Sequence, residues 1–151
     1  MMEHKINLTA DADVVAAWRT GLALGRRLGF GPFKQACLSG AILELSRNVI
    51  ENGGSGSCVL TDESDSRALR ARVVIRGAGS ELLGSVKQKL NADVNIGPSL
   101  PAVKLRQVVE TCDLGEEAGG ARVSLTIHQA RAAAAVRGPW RDATVARAAW
   151  R

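Results

Sequence analysis

The sequence predicts an α+β protein, a two-layer sandwich in which helices cover one face of a mostly antiparallel sheet. Two stretches alternate apolar and polar residues as half-buried strands do: "ALRARVVIRG", through Leu69, Ala71, Val73 and Ile75, and "ARVSLTIHQ", through Val123, Leu125 and Ile127. A third stretch repeats apolar residues at spacings of four and three, through Leu38, Ile42, Leu45 and Val49, which is the core stripe of a helix. The order reads strand, helix, helix, strand, strand, loop with a helix, strand, strand. Hairpins plus segregated helices close most economically as one sheet with one buried and one open face.

Each element has a local reason. "HKINLT", residues 4–9, alternates around Ile6 and Leu8 and reads as an edge strand. Asp11 or Asp13 offers an N-cap to a helix over 13–28, with Val14, Val15, Trp18, Leu22 and Leu28 on or near one face. "GFGP" breaks it, and the next helix runs from about 32 to 52. "NGGSG" stops that helix, with Asn52 or Gly53 taking the left-handed conformation at its end. "SCVLTD" and "ALRARVVIRG" are strands joined by the polar turn "DESDSR". "GAGSELLGSVKQKL" is a turn into a short helix, and "NADVNIGPSLP" is a loop. Pro101 suits the first turn of a helix to about Thr111, through Val103, Leu105, Val108 and Val109. "TCDLGEE" and "ARVSLTIHQ" are the last strands, either side of "AGG".

With 151 residues, 46% apolar and 23% charged, the chain suits one globular domain. Aromatics at 3% leave an aliphatic core. No apolar run nears the roughly 20 residues of a membrane span, and the N-terminus lacks a signal-peptide pattern. Cys37, Cys58 and Cys112 fit neither a disulfide framework nor a zinc site, so they read as small buried residues of a cytoplasmic protein. The net charge is +5, but from Gln129 onward five arginines face Asp142 alone, so four of those five charges belong to the tail. We therefore divide the chain into a domain over 1–128 and an Ala/Arg-rich, flexible or weakly helical tail over 129–151. Nucleic-acid binding through that tail is disfavoured by the nearly neutral body. His4 and His128, at strand ends, read as surface histidines.

One row stands out. Glu44, Asn48 and Asn52 recur every fourth residue on the flank of the apolar stripe. Spacing alone leaves two readings open: the solvated side of a helix, or oxygen ligands for Mg²⁺ beside a carboxylate that orients a nucleophile. The stretch "AILELSRNVIENGGSG" resembles the N-box of the GHKL ATPase superfamily. It is most similar to anti-sigma-factor serine/threonine kinases of the RsbT type. Glu44, Leu45, Arg47 and Asn48 match a Glu-Leu-Ala-Arg-Asn core, with Ser46 in place of Ala. "VVIRGAGS", "NIGPSLPAVKLRQVVE" and "GGARVSLTI" fall where that family carries its three glycine motifs, and the likeness spans about 4–128.

The resemblance implies the Bergerat ATP-binding fold and the cofactors ATP and Mg²⁺. It implies Asn48 as the metal ligand, Glu44 as the catalytic carboxylate activating a hydroxyl, and Asn52 near the nucleotide. Gly77 and Gly79 would lie against adenine and ribose, and Gly97 in a lid over the phosphates. Residues 44 and 48 would open into a cavity floored by the sheet and roofed by residues 95–101. The departures are specific. Ile75 replaces the Asp that accepts from the adenine amino group. Ser99 and Ala102 replace lid glycines, and Ala121 and Arg122 stand at the Thr pair. Losing the adenine acceptor costs about 1–3 kcal/mol, so weakened ATP binding follows, with Lys104 or Arg122 as compensating phosphate cations. Two functions follow from the resemblance. One is a kinase that phosphorylates a serine on a partner. The other is a non-catalytic module that captures a STAS-domain antagonist, a sigma factor or a sensor protein.

Overall fold

The computed structural model describes residues 3–52, 54–79, 81–117 and 120–131. The expected tail beyond Arg131, the turn residues 118–119 and Gly53 lie outside the described residues.

The two alternating stretches form the centre of the sheet. β3 (Ala68–Ala78) pairs antiparallel with β7 (Gly120–Ala130), with Val73 opposite Leu125 and Ile75 opposite Val123. β2 (Gly56–Asp62) joins β3, β1 (Glu3–Leu8) joins β2, and β6 (Thr111–Glu117) joins β7. The order is β1-β2-β3-β7-β6, with every neighbour antiparallel, and β1 is at an edge as expected. Register puts Cys58, Leu60, Ala71, Val73, Ile75, Val123, Leu125 and Ile127 on one face, all fully buried. The opposite face carries Arg70, Arg72, Arg76 and Arg122. β7 reaches Ala130, so Gln129 and Ala130 are paired sheet residues.

Two long helices cover the apolar face. α1 (Asp11–Leu28) begins two residues earlier than expected, and neither Asp11 nor Asp13 is its N-cap. Ala10 takes that place. Asp13 sits one turn in, where its carboxylate accepts from the backbone N–H of Thr9 at 2.9 Å and of Ala10 at 3.1 Å. An acidic side chain here satisfies helix-terminal donors as well as a cap does, and spacing does not separate the two positions. α2 (Pro32–Asn52) sets Leu38, Ile42, Leu45 and Val49 on the sheet, each at most 1% exposed. At its end Asn52 stays helical, Gly53 lies outside the described residues, and Gly54 is left-handed at φ 78°, its N–H bonding Val49 O at 3.1 Å.

α3 (Leu82–Asn91) follows Gly79, left-handed at φ 97°, and buries Leu82, Val86 and Leu90 completely. The helix expected over 101–111 does not form. Val103–Lys104 make a short strand β5 against β4 (Asp93–Val94), and only one turn, α4 (Leu105–Val108), is helical. Three β-branched valines make that segment a poor helix former, and it pairs instead as a short ladder, with Val103 opposite Val94 and Lys104 opposite Asp93.

Candidate functional site

On α2, the apolar stripe determines where everything else points. At about 100° per residue, Glu44, Asn48 and Asn52 fall on one flank of the stripe, and Ser39 and Leu43 on the other. The first flank meets α3. Lys89 Nζ lies 3.4 Å from one oxygen of Glu44, and Arg47 lies 3.5 Å from the other. Ser85 Oγ donates to Asn48 Oδ1 at 2.9 Å. Asn52 Nδ2 donates to the carbonyl of Asn48 at 2.9 Å and to Ser85 Oγ at 3.3 Å. Contacts ascend α2 as they descend α3, so the two helices run antiparallel along a polar seam. Asn48 is 1% exposed, and its Nδ2 finds no hydrogen-bond partner among the described residues.

Gly77 lies beneath the same helix. A Cβ there would come within 2.6 Å of Leu82 Cδ2 and 3.2 Å of a Val49 methyl, so the side chain of Leu82 fills the space this glycine leaves. Gly79 turns the chain into α3. Ile75 is fully buried in the aliphatic core. Lys104 pairs with Asp93, and Arg122 shares Glu117 with Arg76.

A cleft of about 480 Å³ does lie under the 95–100 segment, lined by Trp18, Ser39, Gly40, Leu43, Gly97 and Leu100 among others. Its roof is where the sequence placed it. Its wall is the other flank of α2, so Gly97 lines it and Glu44 and Asn48 do not. The candidate residues thus divide: Glu44, Asn48, Asn52, Gly77 and Gly79 gather at α3, while Gly97 and Lys104 lie in the segment beyond it. Ser85 and Lys89 went unremarked in the sequence. Their own four-residue spacing on a short helix, matching the period of the α2 row, was the available signal.

Chemically, the row is largely answered from within the chain, the Nδ2 of Asn48 excepted. The Asn48 oxygen that a Mg²⁺ would need already accepts from Ser85. The carboxylate proposed as a base is held between two cations, and the adenine position is an isoleucine facing the core. These residues do not fit Mg-ATP as they stand. Among the described residues no group of three or more His, Cys, Asp or Glu could hold a metal. The thiols offer no nucleophile, because burial raises all three and takes Cys58 to about 12. No described helix is long and apolar enough to cross a membrane.

No family model matches the chain. Among curated proteins, the serine/threonine-protein kinase RsbT of Bacillus subtilis (strain 168) is 26% identical over 102 residues, 66% of this chain and 77% of its own. That distant likeness supports an RsbT-like relationship.

Proposed function

We propose that the chain is a partner-switching regulator of the RsbT type, built on a GHKL-like sandwich, that acts by holding a protein partner. In this reading its N-box row seats α3 instead of Mg-nucleotide. The observation that carries the reading is the Ser85 hydroxyl on Asn48 Oδ1, deep in the α2–α3 seam. A metal at Asn48 would compete with this hydrogen bond, in a seam held in place by the fully buried Leu82, Val86 and Leu90 of α3. The partner implied by the RsbT resemblance is a STAS-domain antagonist or a sigma-factor regulator.

The test is a titration of the full chain with fluorescent nucleotide and Mg²⁺ up to millimolar concentration, alongside Asn48→Ala. No saturable signal is expected from either. Saturable, magnesium-dependent binding that Asn48→Ala abolishes would establish the kinase reading instead. That second reading is favoured by the activity in the name of the curated relative and by the unpartnered Nδ2 of Asn48.

A further inference from the structure

β1 pairs with β2 along one side, and no described strand lies on the other. An open edge presents a row of backbone N–H and C=O groups ready to pair with another chain. α1 packs beside this edge. Between them runs a groove of about 340 Å³, lined by His4, Arg19, Thr20, Ala23, Leu24 and Arg27. His4, Arg19 and Arg27 are among the residues that line it, and none of the lining residues is acidic. Arg19 enters no ion pair among the described residues. Glu3, the nearest acid in the strand, lies on the other side of the sheet, in a hollow with Arg72 and Arg76.

Strand alternation makes this arrangement selective. A segment added outside β1 would send every second side chain into the groove and the others past Glu3 and Lys5. We propose that β1 and this groove take an extended segment of a protein partner, added as a further strand, with Asp or Glu among the alternate positions that face Arg19. A second copy of the chain fits poorly, because related by a two-fold axis it would bring its own arginines to the same place. The proposal rests on the partner-holding reading and names the surface for it.

The experiment uses the full chain and a fluorescein-labelled peptide alternating Glu and Val, with a Lys–Val peptide as control. Anisotropy measures affinity at low and high salt, and hydrogen exchange follows the β1 amides. The Glu peptide is expected to bind about tenfold tighter than the control, and Arg19→Glu to remove about that factor, with the difference shrinking in salt. Protection should appear at Lys5–Asn7. Equal binding of the two peptides, indifference to Arg19→Glu, or protection confined elsewhere would overturn the proposal. So would a dimer with β1 amides already protected without peptide. Nucleotide is absent throughout, so failure here leaves the nucleotide titration to judge the partner-holding reading separately.

Discussion

The carboxamide of Asn48 has two polar ends in a buried place and one side-chain partner for them. That asymmetry makes its neighbour the more costly residue to lose. Ser85→Ala would strand the oxygen as well as the nitrogen and remove an acceptor from Asn52. It should destabilise the fold by about 1–3 kcal/mol. Asn48→Ala gives up the same hydrogen bond but also deletes an unsatisfied donor, so it should cost less. The double variant should cost little more than Ser85→Ala alone, which urea midpoints read as non-additivity. At the other end of the helical layer, Asp13 carries a pH signature. Its carboxyl is held below its ordinary 3.8, first by the backbone N–H of Thr9, then by the Thr9 hydroxyl, and less by Ala10 N–H. A depressed folded value means that its stabilisation is complete above the carboxylate range and is lost as pH falls through the lowered value. Asp13→Asn should therefore melt earlier than the parent at neutral pH, and thermal scans should converge as pH drops below 3.8.

Elements with a single strong period were readable from sequence, and elements defined by their neighbours were not. β3 alternates from Leu69 to Ile75 and β7 from Ala121 to Ile127, and α2 keeps its stripe from Leu38 to Val49, so the type and bounds of these elements are legible within a residue or two. The 101–111 segment had only Pro101 and apolar residues to recommend a helix. Backbone pairing between Val103 and Val94 decided otherwise. α3 was expected as a helix, but not as the partner of the polar row. Its position follows from Leu82, Val86 and Leu90 entering the core beside Gly77, a contact that no local pattern announces. The seam should therefore depend on that anchoring more than on its own hydrogen bonds. Leu82→Ala should cost about 2–5 kcal/mol, well above the loss from Lys89→Ala, whose side chain is 40% exposed and whose contact with Glu44 is partly screened. Denaturant melts of the two variants check the order.

Seen whole, the molecule is a two-layer sandwich with one armoured and one apolar sheet face, and the polar groups expected to serve a nucleotide, the Nδ2 of Asn48 apart, find partners within the chain. The motif residues were legible because their identities and spacing survive. Their use was not, because the same row of Glu, Asn and Asn suits a metal site or a helix seam equally well, and tertiary packing chooses. Position 75 tests that choice at the level of the fold. Judged from the motif, Ile75→Asp would restore the missing adenine acceptor and improve nucleotide binding. Judged from packing, it places a carboxylate at a fully buried point of the core, opposite Val123 and Cys58, with no cation beside it. An unpaired buried charge costs several kcal/mol, a large share of the roughly 5–15 kcal/mol that holds a domain folded. Ile75→Asp should accordingly lose most of its stability at neutral pH, recover part of it in mild acid as the carboxyl protonates, and show no saturable Mg-ATP binding. Circular dichroism melts across pH and the same nucleotide titration provide the measurement. A stable variant that gains magnesium-dependent ATP binding would mean that the space above β3 is a pocket and that α3 yields it readily.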